Sequence, residues 1–259
     1  MVNESAINES RQHPTICRPN ADDETIVAIH QPNYIPWLGY FFKIAHANKF
    51  VFLDTVVYPG GSFVNRNSIK TPKGPAWLTI PVCKSGRSGQ LIGEVEPDNT
   101  HKWVARHLST LRNNYRRAPF FCEIISLLEP HYRAVRADKQ SLAGFNIGVI
   151  CAIAAYLDIR PHFITSSQLN ITGQKTDLLL DICRKFGATT YLAGTGSKCY
   201  QEDSKLENAG ITPVYSPFVQ RRYVQLFGEF VENLSVVDVL MNCGYQGTRR
   251  LLGIAGGRN

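Results

Sequence analysis

The sequence has little that would mark a membrane, secreted or metal protein. It contains no run of 18 or more apolar residues, which argues against a membrane-spanning helix. Its first 24 residues, MVNESAINESRQHPTICRPNADDE, carry no apolar core of the signal-peptide kind, so a cytoplasmic location is expected. The seven cysteines, at 17, 83, 122, 151, 183, 199 and 243, are odd in number and form no CxxC pair. Neither a disulfide framework nor a structural zinc site follows from them. Cys122, Cys151 and Cys183 sit in apolar helical surroundings, as small core residues do. No two histidines stand four apart, and no metal or other cofactor is implied. There is no GxxxxGK[ST] loop and no complete dinucleotide fingerprint. No basic tract with interleaved aromatics points to nucleic acid.

What is present is an ordinary globular composition, 44% hydrophobic over 259 residues, enough for one large core or two small domains. The net charge of +7 favours an anionic partner such as a sugar nucleotide, a phosphate, an acyl carrier or RNA, without choosing among them.

The chain is organised around Thr25–Lys43, TIVAIHQPNYIPWLGYFFK. Thr25–Ile29 is rich in β-branched residues, like a buried parallel strand. His30, Gln31, Asn33 and Tyr34 then crowd into five positions around Pro32. Pro36 suits the first turn of a helix, where its missing N–H has no partner to lose. Ligands of α/β proteins bind beyond the carboxyl ends of strands, often against a helix start. The His-Gln-Asn-Tyr cluster is therefore a site candidate. The same residues would also serve a purely structural turn, with Gln31 and Asn33 satisfying backbone groups and His30 hydrogen-bonded in the core.

Further strands are expected at 49–53, 162–165, 189–193 and 212–215, with another short one at Leu91–Val95. These predict an α/β fold, a mostly parallel sheet flanked by helices. Residues 1–24 read as a disordered tail, 25–244 as the domain, and 245–259 as a frayed Gly- and Arg-rich tail. Tyr58–Val82 reads as an antiparallel hairpin or β-rich flap turning at Lys73–Gly74. Its Asn65, Arg66 and Lys70 suit an anion or carboxylate, or simply a solvated hairpin. A helical insertion is expected over about 100–157, as helices Thr100–Tyr115, Ala118–Leu128 and His131–Leu157. Later helices are expected at Lys175–Phe186, Glu202–Asn208 and Val236–Met241.

Asp54 ends the second strand and would share a rim with His30 if those strands are neighbours. His30 is the candidate general base, because an unperturbed imidazole titrates near operating pH, and Asp54 is the candidate to orient it. Ser166, Ser167 and Asp177 are polar residues at a strand end and a helix start. Thr176 or Asp177 suits the N-cap of that helix, and this account is preferred to an acid–base role for Asp177. The turn Gly194-Thr195-Gly196-Ser197-Lys198 lets backbone approach an anion, with charge from Lys198, or is a plain glycine turn. Neither Ser197 nor Cys199 has a base beside it, so direct transfer is preferred to a covalent intermediate.

The motifs HQPNYIPWLGYF, FVFLDTV (50–56), FVNRNSIKTPKG (63–74), WLTIPV (77–82), TDLLLDICRKFGATTYLAGTGSKCY (176–200) and VVDVLMNCG (236–244) together resemble the WbqC-like family. That bacterial group is associated with O-antigen and other surface-polysaccharide gene clusters. The resemblance spans about residues 25–244. It implies a transferase that adds an acyl or aminoacyl group, such as glycyl, to a dideoxyamino sugar carried as a sugar nucleotide. It also strengthens the functional reading of Asn65, Arg66, Lys70 and of Gly194, Gly196 and Lys198. Neither the donor nor the oligomeric state is implied. Two other readings stand beside it: a nucleotidyltransferase-like enzyme, with HQPN in place of the usual HxGH, and a non-catalytic scaffold of a glycan-assembly complex.

Overall fold

A computed structural model describes residues 24–83, 85–137, 140–199 and 201–255. Five short strands form one parallel sheet: β1 (Ile26–His30), β2 (Lys49–Phe52), β5 (His162–Thr165), β6 (Thr190–Ala193) and β7 (Thr212–Tyr215), in the order β5-β2-β1-β6-β7. The fold is α/β, as expected. A separate antiparallel hairpin, β3 (Arg66–Thr71) and β4 (Gly74–Thr79), closes through Pro72 and Lys73.

Alternation along the strands divides the core in two. Ile26, Ala28, Phe50, Phe52 and Leu192 face one layer, while Val27, Ile29, Val51, Tyr191 and Ala193 face the other. The first layer is packed by α1 (Leu38–Ala45), α2 (Trp103–Tyr115), α3 (Phe121–Ala137), α4 (Leu142–Tyr156) and α7 (Val236–Leu252). The second is packed by α5 (Lys175–Lys185) and α6 (Asp203–Glu207). The helices of residues 103–156 thus build one face of the sheet's own core.

Three expectations need correction. Leu91–Val95 is a 3-10 turn at Ile92–Glu94, fixed by the Leu91 amide donating to the Glu94 carboxylate at 2.8 Å. Pro130 does not end a helix. The helix α3 runs through it, because Leu128, Tyr132 and Val135 on both sides are buried in the same core layer. The break comes later, and Ser141 caps the next helix by accepting from Gly144 N at 3.1 Å. Finally, residues 245–252 are not a frayed tail but the second half of α7. Gly244, at φ 62°, kinks that helix. Thr248, Arg249 and Leu252 are buried beyond the kink, and Arg249 donates to the Leu157 carbonyl. The tail looked loose because its anchors are buried polar groups, which composition alone does not distinguish from surface ones.

Candidate functional site

The strand order reverses direction between β1 and β6. Each is followed by a turn at its carboxyl end, and that reversal is where open parallel sheets leave a crevice. A cavity of about 560 Å³ lies there, walled by His30 and Gln31 from the end of β1, Gly194, Gly196 and Ser197 after β6, and Lys175 and Thr176 from α5. Leu53, Val56, Leu178 and Leu179 supply its apolar side. A smaller recess of about 160 Å³ adjoins it, formed in part by Trp37, Tyr40, Ser216 and Phe218. His30, Lys43, Gly194 and Gly196 line both.

The turn that presents His30 is held rigidly through its backbone carbonyls, which accept from side chains elsewhere in the chain. Asn146 Nδ2 donates to Pro32 O at 2.8 Å and to Val64 O at 2.7 Å. Asn67 Nδ2 donates to Ile35 O at 2.8 Å, and Ser235 Oγ donates to the same oxygen at 2.7 Å. Ile35 is fully buried with φ 32°, a region a β-branched residue rarely enters, and those two donors hold it there. Tyr40 Oη donates to Gln31 O at 3.0 Å.

His30 Nδ1 lies 3.2 Å from Gln31 O. A carbonyl only accepts, so in the neutral ring Nδ1 carries the hydrogen and Nε2 keeps a lone pair. Burial, and secondly the charge of Lys43, push the imidazole down to about 3, so it is neutral at physiological pH. The edge of its ring meets Tyr40, with centroids 4.7 Å apart.

Lys43 was not singled out in the sequence, and it is the most unusual group in the cavity. It comes from the last turn of α1 and is only 3% exposed. Its ammonium donates to Ile29 O at 3.1 Å, and burial lowers it to about 7. The signal available was a lysine inside LGYFFKIA, an otherwise apolar octet.

The other expected site residues divide sharply. Gln31, Gly194 and Gly196 line the cavity with His30. Asp54 does not meet His30. Its carboxylate accepts from Ser166 Oγ at 2.8 Å, Ser167 N at 2.9 Å and Ser167 Oγ at 2.7 Å. That cluster ties the end of β2 to the end of β5 and accounts for Ser166 and Ser167 as well. Asn33 is buried in the turn. Tyr34 points into the core, where its hydroxyl meets Tyr132 and, at 2.8 Å, His107 Nδ1. Asn65 Nδ2 donates to Ile80 O at 3.0 Å. Arg66 lies over the exposed Trp77 ring at 4.7 Å, away from the cavity. Lys70 is buried and bonded to Gln225 Oε1 at 3.0 Å and to the carbonyls of Gly228 and Glu229. It fastens the segment before α7 and does not close over His30. Asp177 pairs with Lys205 at 2.9 Å on the surface. Lys198 lies over the Tyr215 ring, 5.7 Å from its centroid.

A family profile, the WbqC-like protein family, matches residues 31–250. The chain belongs to that family. It is also 35% identical over 219 residues to the uncharacterized protein Rv1507c of Mycobacterium tuberculosis, covering 84% of this chain and 94% of that one. No solved structure gives a significant match. The family match takes in the other four strands of the sheet and all of the cavity lining except Ile29 and His30, which end β1 just before it. Among the described residues, no helix is long and apolar enough to cross a membrane.

Proposed function

We propose that this protein is a transferase of surface-polysaccharide synthesis, adding an acyl or aminoacyl group to the amine of an amino-sugar nucleotide. The observation that carries the reading is the make-up of the cavity at the β1–β6 reversal. Two lysines and a neutral imidazole line it, and no acidic side chain does among the described residues. Its apolar side, Leu53, Val56, Leu178 and Leu179, fits a deoxy sugar better than a fully hydroxylated one.

In the proposed reaction the neutral sugar amine attacks the carbonyl of an activated acyl donor. The C–N bond forms, the bond to the leaving group breaks with its electron pair, and the surplus amine proton passes to His30 Nε2. An imidazole at about 3 is a weak base, but part of that lowering comes from Lys43. An anionic substrate opposite Lys43 removes that part. Ser197 Oγ, held by Gly194 O at 2.8 Å and Gln201 at 3.1 Å, has no base to activate it, which favours direct transfer. The test is incubation with a 4-amino-4,6-dideoxy sugar nucleotide and a panel of acyl and aminoacyl donors, read by mass spectrometry. Absence of any mass shift across the panel counts against the reading.

The strand order favours one second reading, a nucleotide-using enzyme, since this arrangement of five parallel strands is also that of nucleotide-binding sheets. ATP or CTP at millimolar concentration should then raise the melting temperature, and no shift removes that reading.

A further inference from the structure

We infer that Lys43 is the counter-charge of an oxyanion subsite, taking a phosphate or carboxylate of the ligand where the large cavity meets the smaller recess. This deepens the proposed function and rests on it for the ligand's identity, but not for the binding itself.

The geometry carries the inference in three steps. Lys43 is 3% exposed, yet it borders both the 560 Å³ cavity and the 160 Å³ recess. An ammonium has three donors, and one is used, on Ile29 O at 3.1 Å. No carboxylate pairs with it among the described residues, and burial alone accounts for its lowered basicity. A buried charge left without its opposite costs stability, and such groups gather where a ligand supplies the missing charge.

Second, the wall opposite is bare. A Cβ placed on Gly194 would stand 4.0 Å from Lys43 Nζ, and one on Gly196 would meet nothing within 4 Å. The ammonium therefore faces space that a ligand can enter. Third, Lys175 adds a second positive group at the rim, with no acidic side chain in the described lining to offset either lysine. A lysine retained only to satisfy the Ile29 carbonyl would need neither the bare wall nor the second cation.

The two sources of such an oxyanion are the diphosphate of a sugar nucleotide and the carboxylate of a free amino acid. Isothermal titration of the full-length protein with inorganic pyrophosphate and, separately, with glycine distinguishes them. Binding of either probe, weakened at least tenfold by Lys43→Met, supports the subsite and names its source. Gly194→Val keeps the ammonium but covers it, and should weaken the same probe comparably while the protein stays folded by circular dichroism. Binding that is equal in wild type and both variants overturns the inference, as does failure of both probes to bind wild type at 10 mM. Anion binding through Lys43 without any transfer product would leave the subsite standing and sink the transferase reading. Transfer unaffected by Lys43→Met would do the opposite.

Discussion

Replacing Lys43 with Met should stabilise the protein at neutral pH, and the gain should disappear as the solution becomes alkaline. Burial lowers the folded-state lysine from 10.5 to about 7. Between those values the unfolded chain binds the proton and the folded chain does not, so stability from this group rises with pH across that window. Below pH 7 the lysine is charged in both states, and its burial costs about 5 kcal/mol at 1.36 kcal/mol per pKa unit. Met fills a similar volume without charge. It gives up the bond to Ile29 O, and the orphaned carbonyl costs about 2 kcal/mol. The variant should therefore be more stable by about 3 kcal/mol at pH 6, a shift of about 1 M in the urea midpoint. At pH 10 the remaining burial cost is about 1 kcal/mol, so the variant should be no more stable than wild type. Urea titrations of both proteins at pH 6, 8 and 10 measure this directly, since other groups cancel in the difference. A variant less stable than wild type at pH 6, or a gain that does not shrink with pH, would refute the account of Lys43 as an uncompensated buried charge.

Binding of sulfate, whose own charge is constant over this range, should weaken about tenfold per unit as pH rises above 7, because the receiving ammonium is lost. Calorimetric titration at pH 6, 7, 8 and 9 checks it. His30→Ala should lower turnover roughly a hundredfold or more, while its melting temperature stays near wild type, since proton transfer belongs to the transition state and the ring sits at a strand end. A variant that melts early but, while folded, turns over normally would remove His30 from the mechanism. Gly39→Ala would bring a methyl within 2.2 Å of the Trp37 ring, which also packs on Phe218, and should lower the melting temperature measurably and loosen the smaller recess.

The sheet was legible because its strands announce themselves: IVAIH, KFVF and TYLA are short apolar runs with turn residues after them, as buried parallel strands require. What misled was polarity. A polar residue in a sequence reads as exposed or functional, yet Asn65, Asn67, Lys70, Asn146, Asp238 and Arg249 are all buried. Lys70 and Arg249 look like free cations in the sequence and are instead fasteners of backbone carbonyls. Asp54 looked like the partner of His30 because β1 and β2 are neighbours, which they are. Register decides otherwise: His30 pairs with Phe52, so Asp54 lies two residues beyond, next to β5 and its serines. Pairing register is set by the packed sheet, and a single sequence does not carry it.

The HQPNY turn unites these cases. Its side chains suggested one shared role, and the structure gives them several. Tyr34 is consumed by the buried pair Tyr132 and His107, the latter pushed down to about 4 by burial. The backbone of Gln31, Pro32 and Ile35 is consumed by Tyr40, Asn146, Asn67 and Ser235, which come from four different parts of the chain. Only His30 and Gln31 remain at the cavity. A strained turn held from so many sides cannot drift, and that rigidity matters more to the proposed chemistry than extra polar groups would. Proton transfer needs a lone pair fixed to within a few tenths of an ångström of the leaving proton's path. The clamp fixes where β1 ends and hence where His30 points. The helix that follows the same turn delivers Lys43 from the next layer, so one stretch of about twenty residues sets both the imidazole and the charge opposite the bare glycine wall. A substitution in the clamp, such as Asn146→Ala, therefore acts on the site without touching it.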